Sequence, residues 1–310
     1  MISVLRTPDS CFKSLPDFPY SPKYVSVDNP GTSPLRMHYV GEGPKDAVVV
    51  LMLHGEPSWS FSWRKVIAAI VAAGYRAIVP DHIGFGRSDK LVQRTDYSYA
   101  KYIDWMISLL KQLDLQRVVL VAQDWGGPIG LSVLAAMPER FNAIVVTNTL
   151  LPNCEDAPQG IAGWPGELIE NWVAMTRTAD DLPVSDIVAG VSAVPLPDEV
   201  KQAYDAPFPD ASYKAAALQF PSLIPLDANM AGVTENRATW RALEQWHKPL
   251  VTAFSDGDPS TRDWQYVFQR RVPGAAGMPH TVIADAGHFV QEEQGEVLAQ
   301  LVCEVIGQLR

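Results

Sequence analysis

The sequence has little that would tie it to an oxidising compartment, a membrane or a polyanion. Its 310 residues contain three cysteines, Cys11, Cys154 and Cys303, odd in number and widely spaced. That argues against a disulfide framework and a zinc site, and it fits a reducing cytoplasm. No apolar run approaches the ~18 residues that a membrane-spanning helix needs; the longest are residues 47–53 and 67–73. Residues 1–8 (MISVLRTP) lack the basic start and long apolar stretch of a signal peptide, so a cytoplasmic protein without a membrane partner is expected. Basic charge is also scarce. Against 35 Asp and Glu stand 25 Lys and Arg, a formal net charge of −10, which leaves no basic footprint for nucleic acid. Internal repeats and low-complexity tracts are absent too.

What the chain does have is apolar content. Hydrophobic residues make up 47% and charged ones 19%, enough for a sizeable core and incompatible with bulk disorder. The first half alternates short apolar runs with helical patterns. Residues 47–53 (AVVVLML), 76–80, 117–123 (RVVLVAQ) and 143–147 (AIVVT) read as strands, most of them buried on both faces. Residues 62–74, 99–113 and 127–137 between them read as helices. Such alternation builds a mostly parallel sheet flanked by helices. From about Leu151 the rhythm breaks into short helical segments rich in proline. It returns with strands over 249–254 and 280–284 and a closing helix over 292–309. The spacing therefore predicts an α/β core domain, residues 1–150 and 231–310, interrupted by a helical cap over 151–230.

Between a strand and a helix lies Ala122-Gln123-Asp124-Trp125-Gly126-Gly127. It has the small-x-nucleophile-x-small shape of a nucleophile elbow, in which a tight turn pushes one side chain out above the sheet. Serine is the usual central residue; here it is aspartate. A carboxylate is ionised at neutral pH without help from a base. It can displace a leaving group from an sp³ carbon to give an ester, which water can cleave, whereas serine would give an inert ether. The competing reading makes Asp124 a cap for the helix that follows.

Partners for a nucleophile follow in order. Ser255-Asp256-Gly257-Asp258-Pro259 ends one late strand and Ala286-Gly287-His288-Phe289 follows the next. His288 is the base candidate, and either Asp258 or Asp256 can hold its second ring nitrogen. Nucleophile, acid and histidine in that chain order match the α/β-hydrolase fold. In that fold an oxyanion hole is made by a loop after an early strand and by the residue after the nucleophile. Here these are Glu56, in His54-Gly55-Glu56-Pro57, and Trp125, acting through their backbone N–H groups. Gly84-Phe85-Gly86-Arg87-Ser88 lacks the spacing and lysine of a phosphate loop and reads as a structural turn. The other histidines show no spacing that suggests a metal.

These residues resemble the haloalkane dehalogenases, most closely the subfamily of the Xanthobacter dichloroethane enzyme. The blocks are 54–59 (HGEPSW), Asp81 with 84–89 (GFGRSD), 121–127 (VAQDWGG), 206–210 (APFPD) and 285–292 (DAGHFVQE). The resemblance implies that Asp124 attacks the halogen-bearing carbon and that His288 then activates water. It also implies that Asp258, before Pro259, is the acid, with Asp256 in reserve. Asn148 stands near where a sister subfamily places its acid, and an amide cannot carry that charge. A departing halide needs N–H donors, because an unpaired buried charge is costly. Trp125 offers one indole N–H; the family's second tryptophan lies in the cap, where Trp172 matches and Trp164 is a rival. The implied partners are a small halogenated alkane, water and the halide product, with no cofactor or metal, and a monomer is the expectation for this fold.

Two other readings stay open at this point. An epoxide hydrolase would use Asp124 and His288 alike but needs cap tyrosines as acids, for which Tyr204 and Tyr213 are available. A non-catalytic ligand-binding relative would have no need of nucleophile, acid and histidine together.

Overall fold

Six apolar runs become the parallel strands of one eight-stranded sheet, and their C-terminal ends lie along the same side of it. The structure is a computed structural model that describes residues 3–155 and 166–309. The strands are β1 (Lys23–Val27), β2 (Leu35–Glu42), β3 (Val49–Leu53), β4 (Arg76–Pro80), β5 (Val118–Gln123), β6 (Phe141–Thr147), β7 (Leu250–Ser255) and β8 (Thr281–Ile283). Their order across the sheet is β1-β2-β4-β3-β5-β6-β7-β8. The pairs β1/β2 and β2/β4 are antiparallel, and the others are parallel. A separate ribbon pairs Val4–Leu5 with Lys90–Leu91. A mostly parallel sheet is what the alternation led us to expect.

Helices follow the strands. They are α1 (Arg64–Ala72), α2 (Tyr99–Gln112), α3 (Gly126–Ala136), α4 (Glu167–Thr178), α5 (Val184–Gly190), α6 (Asp198–Asp205), α7 (Ala215–Gln219), α8 (Val233–Leu243), α9 (Trp264–Arg271), α10 (Val290–Glu293) and α11 (Gly295–Gly307). Every residue of β3, β5 and β7 is buried, because α1 with α11 and α2 with α3 and α8 pack around the sheet. Parallel pairing places Leu53 beside Ala122 and Gln123 beside Thr147. The loops after β3, β5 and β6 thus open side by side, the usual place for a site in such a sheet. Between β6 and β7 the described residues contain helices α4–α8 and short 3₁₀ turns but no strand.

The differences from the expected elements have local causes. The strands β1 and β2 are not continuous apolar runs, because half-buried or exposed residues interrupt them: Lys23 and Ser26 in one, Arg36, Tyr39 and Glu42 in the other. They form the antiparallel edge that the first-half alternation did not predict. The closing helix, expected as one piece over 292–309, is broken into α10 and α11. At the break Gly295 passes the side chain of Lys65 so closely that a Cβ would lie 2.8 Å from it.

Candidate active site

Asp124 leaves β5 with φ 49°, a left-handed backbone that is uncommon for a residue with a Cβ. Three bonds hold it there. Its N–H donates to the Asn148 carbonyl at 2.9 Å, and its carbonyl accepts from Gly127 N–H at 2.9 Å and from Thr149 Oγ1 at 2.6 Å. Gly127 is required at this turn, since a Cβ would sit 1.9 Å from Thr149 Oγ1. The Asp124 carboxylate does not cap α3, which has no side-chain cap. Its Oδ1 instead accepts the Glu56 N–H at 2.8 Å. The helix-cap reading is thereby replaced by one in which the side chain faces the loop after β3.

His288 comes next to it from the loop after β8. Its Nε2 lies 3.4 Å from Asp124 Oδ2, and its Nδ1 lies 3.1 Å from Asp258 Oδ2. Asp258 is buried and also accepts from Ser260 N–H at 2.9 Å, Ser260 Oγ at 2.6 Å and the Thr261 hydroxyl. Asp256 is exposed at the surface of the same turn, so the structure brings Asp258 and not Asp256 to the imidazole. Burial disfavours a charge on His288, yet the facing Asp258 and Asp124 carboxylates outweigh it and push its pKa up to about 10. Burial likewise opposes the Asp258 charge, but His288 and the two hydroxyls hold it well below the usual carboxylate range.

Asn148 is not a displaced acid. Its Nδ2 donates to Gly287 O at 2.9 Å and His288 O at 3.0 Å, and its Oδ1 accepts from Ser255 N–H at 2.9 Å. Gln123, just before the elbow, donates to the same His288 carbonyl at 3.2 Å. Both amides fix the backbone of the histidine loop rather than its ring. No local motif signals this, because the partners are 139 to 165 positions apart in sequence.

In front of Asp124 opens a space of about 310 Å³, its mouth included, lined by Trp125, Tyr99, Leu150, Leu223, Ile224 and Pro225 among others. The lining is mostly apolar, as small-molecule sites usually are. The Tyr99 hydroxyl is not free there; it bonds to Pro128 O at 2.8 Å, Ser132 Oγ at 2.9 Å and Asn236 Oδ1 at 2.8 Å. Trp125 is buried edge-on to Tyr99 and Phe220. The Glu56 carboxyl is buried, with one oxygen lacking a partner. Burial and the Asp124 charge raise its pKa well above the ordinary value, and a hydrogen bond from the Trp172 side chain only partly offsets them. Trp172, on α4, thus reaches the Glu56 carboxyl, although it is not among the residues lining the cavity; Trp164 lies outside the described residues. Tyr204 is elsewhere, its hydroxyl donating to Glu292 Oε2 at 2.6 Å, and neither it nor Tyr213 lines the cavity. Among the described residues no cluster of three or more His, Cys, Asp or Glu could hold a metal, and no helix is long and apolar enough to cross a membrane.

Comparison with known proteins gives a consistent answer. The family profile for the alpha/beta hydrolase fold matches residues 48–294. The haloalkane dehalogenase of Psychrobacter cryohalolentis is 45% identical over 305 residues, covering 98% of each chain. That of Mycolicibacterium paratuberculosis is 41% identical, covering 96% of this chain and 97% of the relative. Among solved structures, the tetrameric haloalkane dehalogenase DpaA from Paraglaciecola agarilytica superposes with a TM-score of 0.86 at 36% identity. It covers 96% of this chain and 97% of its own.

Proposed function

The chain belongs to the haloalkane dehalogenases, and on that premise we propose how its residues divide the work of hydrolysing a carbon–halogen bond. Asp124 Oδ2 attacks the halogen-bearing carbon in line, the carbon–halogen bond breaks, and the halide leaves to the indole N–H groups of Trp125 and Trp172. Oδ1 stays on the Glu56 N–H and becomes the carbonyl oxygen of the alkyl ester. His288 then takes a proton from water, whose oxygen attacks that carbonyl carbon. The Glu56 and Trp125 N–H groups hold the oxyanion until it collapses; the departing alkoxide takes the proton back from His288 to leave as the alcohol, and Asp124 releases the remaining proton to solvent. Asp258 supports the imidazolium through Nδ1. The sum is haloalkane and water giving alcohol, halide and a proton, without a cofactor.

One observation carries this reading: the two oxygens of Asp124 have different partners. Oδ1 is on a backbone N–H at 2.8 Å and Oδ2 is 3.4 Å from His288 at the floor of an apolar cavity. A carboxylate placed so has one oxygen to attack with and one already in an oxyanion hole. The charges also order the two halves of the reaction. Esterification removes the Asp124 charge, one of the two that favour a proton on His288, so the imidazole can give that proton to solvent and then serve as the base.

Residues 151–230 act in this reading as a cap over the core of 1–150 and 231–310, and Pro152, Leu223, Ile224 and Pro225 supply its side of the pocket. The epoxide hydrolase alternative is not favoured, since the Tyr204 acid it needs is bonded to Glu292. Three unpaired cysteines support a cytoplasmic setting. The monomer reading is checked by light scattering against the tetramer that DpaA forms. The mechanism is tested by His288→Ala with a bromoalkane. One bromide per enzyme should be released and intact mass should show an alkyl adduct on Asp124; absence of the adduct would sink the scheme. Asp124→Ala should release none.

A further inference from the structure

The backbone on both sides of His288 is tied down, but to different parts of the molecule. Its carbonyl is held by the core, through Asn148 and Gln123. Its N–H donates to Val191 O at 2.9 Å, in the connection between α5 and α6. At Gly287 that connection passes so close that a Cβ would lie 2.2 Å from Val191 O. Glu293, at the end of α10, closes the arrangement. Its Oε1 accepts Ala193 N–H at 2.6 Å and Val194 N–H at 3.0 Å, and its Oε2 accepts Gly287 N–H at 2.7 Å. One carboxylate thus bonds the cap connection with one oxygen and the histidine loop with the other.

We infer that Glu293 is a positioning residue that docks the cap on the catalytic histidine loop and so sets the rate at which the alkyl ester is hydrolysed. The three N–H groups it satisfies lie in loops and have no ladder partner among the described bonds, and bonds to an ionised acceptor are about twice as strong as neutral ones. Without the carboxylate, the His288–Val191 bond is the one that still ties the histidine loop to the cap connection among the described hydrogen bonds. Displacement of halide needs Asp124 and the indole donors, none of which Glu293 touches. Hydrolysis needs Nε2 aimed at a water over the ester carbon, and a misplacement of about 1 Å can cost on the order of 10²-fold. The defect should therefore fall on the second half-reaction alone.

This inference rests on the roles proposed for Asp124 and His288, and the test separates the two. Glu293→Asp keeps the charge but shortens the reach by about 1.5 Å, too little to span both loops. Ala193→Pro removes the N–H from the cap side, 100 positions away. Each variant is mixed with 1,2-dibromoethane in rapid-quench and steady-state assays. The expected result in both is a burst of one bromide per site at the wild-type rate, steady turnover reduced about tenfold, and an adduct mass on the enzyme. The double variant should be no worse than either single one. Wild-type turnover without adduct, or an equal loss in burst and steady state, overturns the inference. If His288→Ala also fails to accumulate adduct, the failure lies in the underlying scheme instead.

Discussion

Nε2 of His288 stands 3.4 Å from Oδ2 of Asp124, so the group proposed to activate water is paired with the group proposed to attack carbon. Asp258 holds the opposite nitrogen at 3.1 Å. Two anions on one buried imidazole give the site a strong and testable dependence on pH.

The folded pKa of His288, about 10, lies above its ordinary 6.5. A group raised on folding contributes stability that is complete below the unfolded value and lost as pH rises through the folded one. Asp258 is depressed, so its contribution is present above 3.8 and lost as pH falls through its lowered value. Between about pH 7 and about pH 10.5, Tm should fall in the wild type and fall less in His288→Gln. Parallel melting curves for the two proteins would remove the charge pair from the account of stability.

Asp258→Asn should separate the half-reactions. The amide still fills the site beside Ser260 and Thr261 but no longer supports an imidazolium, so ester hydrolysis should slow on the order of 10²-fold. Halide burst should persist, because Asp124 and its donors are untouched. Single-turnover bromide release with intact-mass detection reads both steps. An unchanged turnover would return the acid to Asp256, despite its exposure.

Trp172→Phe removes an indole N–H while keeping the ring. Loss of a hydrogen bond to a charged acceptor is worth about 1.5–3 kcal/mol, so bromide affinity should drop at least about tenfold. Quenching of the remaining tryptophan fluorescence in a bromide titration measures it. Unchanged affinity would leave Trp125 to act with another donor.

The sequence carried the elbow, the order of the three residues and the core strands because each is a short-range pattern. A small-x-Asp-x-small turn is dictated by contacts such as Gly127 on Thr149, and β5 is continuous because both its faces are covered. The edge strands β1 and β2 carried a weaker signal, since half-buried or exposed residues interrupt their apolar pattern. Asp258 and Asp256 looked alike until burial separated them. The supports of the histidine loop were not legible at all: Asn148, Gln123 and Val191 bond the backbone of His288 and Glu293 that of Gly287, and backbone partners leave no mark on residue type.

Glu292 offers a stability prediction beside the site. It is buried, receives Arg64 Nη2 at 2.6 Å and the Tyr204 hydroxyl at 2.6 Å, and so joins α1, α6 and α10. Removing one partner of a buried pair leaves the other charged without compensation, at a cost of about 3–5 kcal/mol. Glu292→Ala should lose about that much in urea unfolding. A loss below about 1 kcal/mol would class it with surface pairs.

A direct constraint on the Asp124 side chain, the proposed nucleophile, comes from Gly55. A Cβ there would lie 2.0 Å from Asp124 Oδ1 and 2.3 Å from Asp124 Cβ. Asp124 cannot retreat through its backbone, which is fixed at φ 49° by Asn148, Gly127 and Thr149. Rotation can carry its carboxyl away but cannot move its Cβ, so the loop that holds Gly55 must shift as well, and the Glu56 N–H parts from Oδ1. Loss of one such donor costs on the order of 10²–10³ in rate, while overpacking costs only about 1–3 kcal/mol of stability. Gly55→Ala should thus stay folded but lose the halide burst as well as turnover, unlike the histidine-side variants. Gly190→Ala, at the end of α5 with nothing within 4 Å of the added carbon, is the matched control and should keep both. A normal burst in Gly55→Ala would show that Asp124 Oδ1 does not need its place against the loop after β3.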